Sequence, residues 1–295
     1  MLSKYFHLEK NDMEAGKVDM SLFISALVAD LKEQYEDVRI EQTFPGGTLG
    51  IFFELYIDGK RKFAKTHRYG HEYRENMLQE IEIMSLVYGD TLDIEKVDVE
   101  IGGRHLIFMI MDYLFPASGL IEPKKIRECI EHYQRKLYRT HLTVKYSFRQ
   151  VIEAGGESLG VLYKQGFFEE KMYQRCKESL QRVGEQEYTE VISHGDLSNV
   201  NIMYTEKGMP VVIDWEDSLM AFGEYDYLYW LTFFSQRKYY SPALLENHDI
   251  DKVWGTDIMA LITLVKSKMS YQNQSYKNNK ISFQERIDEI YKMIV

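Results

Sequence analysis

A polar segment at residues 192–203 constrains the fold of this chain more than any other stretch. It reads Ile-Ser-His-Gly-Asp-Leu-Ser-Asn-Val-Asn-Ile-Met, which places a histidine, a glycine, an acid and two amides close together. A second acid, Asp214, follows the apolar run of residues 211–213. Residues 201–204 and 209–213 are separated by Thr-Glu-Lys-Gly, so they predict a short hairpin with polar residues at both ends.

The two ends of this hairpin favour phosphoryl transfer. Asn201 begins the hairpin and Asp214 ends it, so an amide oxygen and a carboxylate oxygen can converge on one ion. Magnesium prefers hard oxygen ligands and keeps several waters, so two protein ligands are enough. Asp196 lies in the loop before the hairpin, where a carboxylate can act as the base for an attacking hydroxyl group. Phosphoryl transfer needs such a base together with metal ions on the phosphate oxygens.

The first third of the chain has the alternation and the turns of an antiparallel sheet. Asp58-Gly59 is a typical two-residue hairpin turn, and a pair of glycines at 102–103 indicates another hairpin. We predict a helix at residues 72–88 and strands at residues 38–44, 51–57, 61–66, 96–101 and 104–111. A loop with three glycines, residues 45–50, joins the first two strands and could fold over the phosphates of a nucleotide. Such glycines also occur in ordinary hairpins.

A lysine and a glutamate in this region are expected to pair. Lys65 ends the third predicted strand, where it can reach the phosphates of a nucleotide, while Lys60 and Lys62 lie beside the turn and are expected in solvent. On the following helix, Glu80 has apolar neighbours at helical spacing, whereas Glu82 has more polar ones. An unpaired buried charge is costly, so we predict an ion pair between Lys65 and Glu80.

Helical patterns dominate the rest of the chain and predict an α+β protein with two lobes. We predict helices at residues 21–35, 122–141, 167–183, 252–269 and 282–294, and another within the aromatic-rich residues 219–240. Ala-Gly-Gly at residues 154–156 predicts a loop. The predicted N-terminal lobe is residues 1–112, with a leading helical extension at residues 1–37, and the catalytic and substrate-binding C-terminal lobe is residues 113–295.

Composition excludes several classes of function. The net charge of −10 argues against non-specific nucleic-acid binding, which needs a basic surface, and it is compatible with a cationic or neutral small substrate. No stretch approaches the roughly 20 apolar residues that a membrane span needs, and the N-terminus lacks the apolar centre of a signal peptide. Cys129 and Cys176 have no metal-ligand spacing and favour two buried thiols in a reducing cytoplasm.

The motif His-Gly-Asp-Leu-x-x-x-Asn at residues 194–201 resembles the catalytic loop of protein-kinase-like enzymes. A glycine follows the histidine, where protein kinases have arginine. In this respect the motif resembles that of the aminoglycoside phosphotransferase and choline kinase family. Ile-Asp-Trp-Glu at residues 213–216 resembles the segment of that family that binds the metal. The order of glycine loop, lysine, glutamate, hinge, catalytic loop and metal aspartate matches the family over roughly residues 38–230.

The resemblance implies a bilobal protein-kinase-like fold, with a five-stranded antiparallel sheet and one helix in the N-lobe and a mostly helical C-lobe. ATP or GTP would bind in the cleft with Mg²⁺. The resemblance assigns the base to Asp196 and the metal ligands to Asn201 and Asp214. It implies structural roles at the catalytic loop for His194 and Asp226. The residues that it implies for the nucleotide site are Lys65, Glu80, Gly46, Gly47, Thr48, Asp112 and Leu114, although the glycine loop is a loose version of the family's loop.

The resemblance leaves the acceptor open. An aminoglycoside would need acids near the cleft, for which the candidates are Glu216, Asp217, Glu224 and the C-terminal carboxylate. A choline- or ethanolamine-like substrate would favour an aromatic cage, for which Tyr225 and Trp230 supply rings that are equally typical of core packing. A sugar kinase and a catalytically silent nucleotide-binding module are further alternatives. Protein-kinase activity is less favoured, because no Ala-Pro-Glu-like anchor follows Asp214.

Overall fold

The structure is a computed structural model that describes residues 20–44, 50–67, 71–101, 103–119, 121–241, 243, 245 and 250–294. An antiparallel sheet with helices forms its N-terminal part and a mostly helical assembly forms the remainder. The predicted α+β architecture, with a five-stranded antiparallel sheet in the N-terminal lobe and a mostly helical C-terminal lobe, is therefore confirmed. Within the described ranges, no helix is both long enough and apolar enough to cross a membrane.

The N-terminal sheet has five strands in the order β1-β2-β3-β5-β4, and each neighbouring pair is antiparallel. Its strands are β1 (Val38–Phe44), β2 (Gly50–Ile57), β3 (Lys60–His67), β4 (Ile94–Ile101) and β5 (Arg104–Asp112). All five predicted strands are confirmed. Asp58 and Gly59 both have positive φ, 47° and 76°, as the tight turn between β2 and β3 requires.

The two faces of this sheet pack against different partners because side chains alternate along each strand. Helix α1 (Met20–Leu31) covers one face, where its Phe23 and Leu27 pack with Phe53 and Phe108 from the strands. Helix α2 (His71–Tyr88) lies against the other face and joins the core that continues into the C-terminal lobe. Lys65 and Phe63 are on this second face, two positions apart on β3, so the lysine points towards the space between the lobes.

The C-terminal lobe is built mainly from helices. They are α3 (Pro123–Leu137), α4 (Phe148–Lys164), α5 (Glu170–Glu185), α6 (Tyr225–Leu231), α7 (Lys252–Gln272) and α8 (Phe283–Tyr291). Helix α7 is largely buried and packs against α4, α5 and α8. The short 3₁₀ segments are Asn199–Asn201, Trp215–Asp217, Phe234–Tyr239, Ser275–Asn278 and Lys292–Ile294.

The loop predicted at residues 154–156 is wrong, because these residues lie inside α4. A Cβ atom on Gly155 would lie 2.1 Å from Cδ1 of Leu261 on α7. The glycine therefore allows two helices to approach closely, and it does not interrupt the first of them. This packing role depends on a residue about a hundred positions away, so the local pattern could not show it.

Two small sheets position the polar segment of residues 192–203. In one sheet, the predicted hairpin is confirmed as β9 (Ile202–Tyr204) and β10 (Pro210–Val212), with β6 (Phe115–Pro116) beside β9. The other sheet, which was not predicted, consists of β7 (Tyr146–Ser147), β8 (Val191–Ser193) and β11 (Leu219–Ala221), with β11 in the middle. Because β8 runs into the catalytic-loop motif and β11 follows Asp214, their pairing brings the two parts of the candidate site together.

Candidate active site

A buried lysine connects the N-terminal sheet with the C-terminal lobe. Nζ of Lys65 donates hydrogen bonds to Oε2 of Glu80 at 2.7 Å and to Oδ1 of Asp214 at 2.5 Å. The other oxygen of Glu80 accepts from the backbone N–H of Asp214 at 3.1 Å. The predicted pairing of Lys65 with Glu80 is confirmed, and Glu82 is exposed. Burial lowers the pKa of Lys65, but the charges of Asp214 and Glu80 outweigh this and raise it overall, so the lysine is a cation.

A second lysine in the same strand was expected in solvent and is instead buried. Nζ of Lys62 donates to Asp93 at 2.7 Å and to Asp112 at 2.9 Å, which fixes the end of β5. Leu114, two residues beyond Asp112, is also buried. Both residues, which the resemblance implies for the nucleotide site, thus lie at the junction of the lobes, and their contact with a nucleotide stays a prediction. The loop residues assigned to the phosphates, Gly46, Gly47 and Thr48, lie outside the described residues.

The catalytic-loop motif and the hairpin hold the candidate base and the candidate metal ligands together. Nδ2 of Asn201 donates to the backbone carbonyl of Asp196 at 2.9 Å. The backbone carbonyl of Asn201 in turn accepts from the N–H of Ile213 at 2.9 Å, so Asn201 lies beside the residue that precedes Asp214. The structure therefore brings Asp196, Asn201 and Asp214 together, as the hairpin predicts.

His194 lies between the loop and the strand that leads to Asp214. The N–H of Asp196 donates to Nδ1 of His194 at 3.2 Å, which makes Nδ1 an acceptor. The proton of the neutral ring is then on Nε2, which donates to the carbonyl of Ile213 at 2.8 Å. The ring also packs against Trp215, with a distance of 4.7 Å between ring centroids. These contacts agree with a bracing role for His194.

Asp226, at the start of α6, holds the backbone of the catalytic loop. Its carboxylate accepts from the N–H of His194 at 2.7 Å, from the N–H of Gly195 at 3.0 Å and from the hydroxyl of Tyr133 at 2.5 Å. Burial raises the pKa of Asp226, and these hydrogen bonds oppose that shift. Sequence reasoning missed Tyr133, which is 93 positions from Asp226 and shows locally only as one member of an apolar helical stripe.

Helix α6 makes two more contacts with the same loop, both through side chains. The hydroxyl of Tyr229 donates to Oδ1 of Asp196, and Nε1 of Trp230 donates to Oδ1 of Asn199 at 2.7 Å. Sequence reasoning missed Tyr229 as a partner of this loop. Its spacing from Asp226, three residues along a helix, is the signal that could have placed it on the loop-facing side.

The residues predicted to contact substrate are buried in the structure. Tyr225 and Trp230 are 0% exposed, Glu216 is 5% exposed and Asp217 is 1% exposed, so these predictions are corrected: the aromatic rings are core packing. Burial, with the charge of Asp214, raises the pKa of Glu216 to about 8. The remaining acidic candidates give no support either. Glu224 lines a cavity whose other walls include Asp251 and Trp254 and none of the candidate active-site residues, and the C-terminal residue lies outside the described ranges.

The donor set of this site fits a magnesium ion bound together with a nucleotide. Among the residues that the structure describes, no cluster of three or more His, Cys, Asp or Glu side chains could hold a metal alone. Mg²⁺ is commonly bound by one or two protein oxygens, with phosphate oxygens and water as its other ligands. Nδ2 of Asn201 donates to the carbonyl of Asp196, so Oδ1 of the same amide is the atom that would bind the ion. Asp214 would supply a carboxylate as the second protein ligand.

Replacing Asp226 by asparagine tests whether this residue organises the loop. The Asp226→Asn amide would turn an N–H group towards one of three donors, so we expect the free energy of unfolding to fall by about 2 kcal/mol in urea titrations. Tyr133→Phe removes only one of the three hydrogen bonds and leaves the carboxylate, so its loss should be smaller. Equal stability of Asp226→Asn and the wild-type protein would contradict this role.

Known proteins resemble this chain in part of its sequence and in its fold. Residues 136–249 match the model of the phosphotransferase enzyme family (APH). A thermostable mutant of the aminoglycoside phosphotransferase APH(4)-Ia, solved with AMP-PNP and hygromycin B, has 13% identity and a TM-score of 0.61 over 90% of this chain and 97% of that chain. A choline/ethanolamine kinase family protein from Mesorhizobium loti has 15% identity and a TM-score of 0.58 over 94% and 93%. Spectinomycin phosphotransferase APH(9)-Ia, solved with ADP and spectinomycin, has 12% identity and a TM-score of 0.55 over 92% and 94%.

The comparison with curated protein sequences finds no significant match. At these identities, the likeness to solved structures shows the fold. The family match adds the segment that contains the catalytic-loop motif and Asp214, so the resemblance noted in the sequence is confirmed. Together they support a phosphotransferase with a hydroxyl group as acceptor.

Proposed function

We propose that this protein is a small-molecule kinase that transfers the γ-phosphate of ATP to a hydroxyl group. The observation that carries the proposal is the convergence of Lys65, Asp196, Asn201 and Asp214, joined by hydrogen bonds across the two lobes. Structural packing alone does not explain why a buried cation is aimed at Asp214, an acid whose own backbone has left-handed angles. Similar proteins that bind AMP-PNP or ADP support ATP as the donor, and GTP is the alternative nucleotide.

Each residue would have a separate task in this reaction. The ammonium group of Lys65, kept charged by Glu80 and Asp214, would bind phosphate oxygens of the nucleotide. Asp196 would receive the proton of the acceptor hydroxyl as its oxygen attacks the γ-phosphorus. Asn201 and Asp214 would hold Mg²⁺, which when bound neutralises charge on the phosphates.

Two lobes fit this assignment, with the nucleotide between them. The N-terminal lobe, residues 1–112, would bind the nucleotide, and the C-terminal lobe, residues 113–295, would bind the acceptor. The five-stranded sheet ends at Asp112, which supports a boundary at this point. Lys65 comes from the first lobe and its partner Asp214 from the second, so a change in the separation of the lobes would act directly on this ion pair.

The acceptor is proposed to be a small hydroxyl compound, such as an aminoglycoside, a sugar, or a choline- or ethanolamine-like alcohol. Proteins of similar fold bind hygromycin B and spectinomycin, which supports this size and class. The negative net charge of the chain does not by itself require a cationic acceptor. Glu216 and Asp217 are buried, so they do not form the exposed acidic surface that a polycation would need.

The proposed activity can be tested by a coupled ADP-release assay with Mg·ATP and Mg·GTP. The assay would screen aminoglycosides, choline, ethanolamine and sugars, and we expect acceptor-dependent release of ADP by the wild-type protein. Asp196→Asn keeps the shape of the side chain and removes its basicity, so it should lower the acceptor-dependent rate by about 100-fold or more. No ADP release with any acceptor, while nucleotide binding is intact, would contradict the kinase and favour a catalytically silent module.

We also propose that the protein acts in the cytoplasm. Cys129 and Cys176 are both free thiols and both buried, on α3 and α5, respectively. Burial raises the pKa of each thiol to about 11, so both thiols are neutral near pH 7 and behave as small hydrophobic side chains. Two unpaired cysteines are typical of proteins from a reducing compartment.

A further inference from the structure

One contact of α6 with the catalytic loop is not needed to hold the backbone of the loop. The Tyr229 hydroxyl donates a hydrogen bond to Oδ1 of Asp196, across 33 positions of sequence. Asp196 is only partly buried, so water could solvate its carboxylate. Tyr229, by contrast, is 2% exposed, so its hydroxyl group is committed to this acceptor. A buried donor on one oxygen of a partly exposed carboxylate indicates that the orientation of the carboxylate matters.

The ring of Tyr229 is held firmly enough to fix that orientation. Phe233 packs edge-on against it, with a distance of 5.7 Å between ring centroids. On α7, Nζ of Lys266 lies 3.7 Å from the centroid of the Tyr229 ring and 3.6 Å from that of Phe233, and donates to the hydroxyl of Thr232 at 2.7 Å. A cation over an aromatic face is attracted to it, so these contacts restrict movement of the ring.

We propose that Tyr229 is a positioning residue for the general base. The carboxylate of Asp196 can rotate about its last torsion, which has no sharp staggered minima. The hydrogen bond to Oδ1 restricts this rotation and sets the direction of Oδ2, while Asn201 fixes the backbone of the same residue. Well-oriented reacting groups account for a large part of enzymatic rate enhancement. The inference rests on the proposed function, because it needs Asp196 to be the base.

The step in which this orientation matters is the transfer of one proton. The oxygen of the acceptor forms a bond to the γ-phosphorus while the bond from that phosphorus to the departing ADP oxygen breaks. The proton of the acceptor hydroxyl passes to Oδ2 of Asp196, and Tyr229 keeps its own proton and its bond to Oδ1. A carboxylate that turns away from the acceptor loses the alignment that this transfer needs, although the nucleotide still binds.

Kinetics of Mg·ATP hydrolysis by the full chain, with water as the acceptor, test the proposal. Tyr229→Phe keeps the ring and removes the donor, so we expect kcat to fall about tenfold with an unchanged KM for ATP. Because Tyr229 would act through Asp196, adding Tyr229→Phe to Asp196→Asn should cause no further loss. Tyr225→Phe is the matched control: Tyr225 begins the same helix, and its buried hydroxyl has no hydrogen-bond partner within the described part of the chain.

The outcomes separate this inference from the function on which it rests. Wild-type kcat in Tyr229→Phe, or losses that multiply in the double variant, would overturn the positioning role even if Asp196→Asn is impaired. A raised KM for ATP with unchanged kcat would also overturn it, because Tyr229 would then act on nucleotide binding and not on the proton transfer. Full activity of Asp196→Asn, or no ADP release by the wild-type protein with water or with any of the screened acceptors, would refute the proposed function and, with it, the inference. Urea titration of Tyr229→Phe would show whether the variant is folded.

Discussion

Asp214→Asn is expected to lower the rate of phosphoryl transfer by about 1,000-fold, because it removes the only carboxylate among the proposed metal ligands. The variant should still fold. Asp214 adopts left-handed backbone angles, φ 69° and ψ 57°, which asparagine tolerates better than most residues. The backbone N–H that Glu80 binds is also retained. Steady-state kinetics over a range of Mg²⁺ concentrations measure the loss.

Two controls show whether this loss comes from the missing charge. Asp214→Ala removes the same charge but places alanine in the left-handed region, so it should be less stable than Asp214→Asn while losing a similar amount of activity. In Asp214→Asn the buried cation keeps Glu80 as its ionic partner, so the unfolding midpoint should remain close to that of the wild-type protein. Near-normal kinetics of Asp214→Asn at saturating Mg²⁺ would contradict the assignment of Asp214 as a metal ligand.

Gly195→Ala is expected to destabilise the protein by about 4 kcal/mol or more and to abolish activity with it. Gly195 has φ 84°, a conformation that alanine adopts only with strain. A Cβ atom at this position would lie 2.0 Å from the backbone carbonyl oxygen of Asp217 and 2.8 Å from Cδ2 of Leu219. The carbonyl belongs to the main chain between Asp214 and β11, so relief of the overlap would separate the catalytic loop from that segment.

A second glycine provides the control for this substitution. Gly184 lies in α5, and a Cβ atom there would have no neighbour within 4 Å. Gly184→Ala should therefore leave stability unchanged or raise it by about 0.5–1 kcal/mol, because alanine favours the helix. Circular dichroism during urea unfolding measures both variants. Equal midpoints for Gly195→Ala and Gly184→Ala would show that the close approach at Gly195 does not matter for folding.

The reaction centre could be predicted because its parts are close together in sequence or lie on regular elements. Asn201 and Asp214 are joined by a single hairpin, so the turn signal was enough to bring them together. Glu80 could be preferred to Glu82 because helical spacing gives it apolar neighbours, and an acid among them needs a cation. The ion pair between Lys65 and Glu80 can be inferred from this need, although no local sequence pattern gives the distance between the two side chains.

Contacts between distant segments could not be predicted in the same way. Tyr133 reaches Asp226, and Tyr229 reaches the catalytic loop, only because α3 and α6 pack in this region. A tyrosine in a helical stripe is equally typical of ordinary core packing. The predicted substrate residues were wrong because a run of aromatic residues does not show which of its members are exposed. Tyr225 and Trp230 belong to a run of aromatic residues in which burial and exposure give the same sequence pattern, and the packing of α6 buries both.

The hairpin of β9 and β10 has a consequence for how related chains can vary in length. The bond from Ile213 to Asn201 lies at the open end of the hairpin, while its turn, at residues 205–208, is at the far end. Residues inserted at the turn would lengthen the ladder or the loop without moving that open end. The spatial separation of the two metal-ligand positions is therefore set by strand pairing, whereas their separation in sequence is free to drift during evolution.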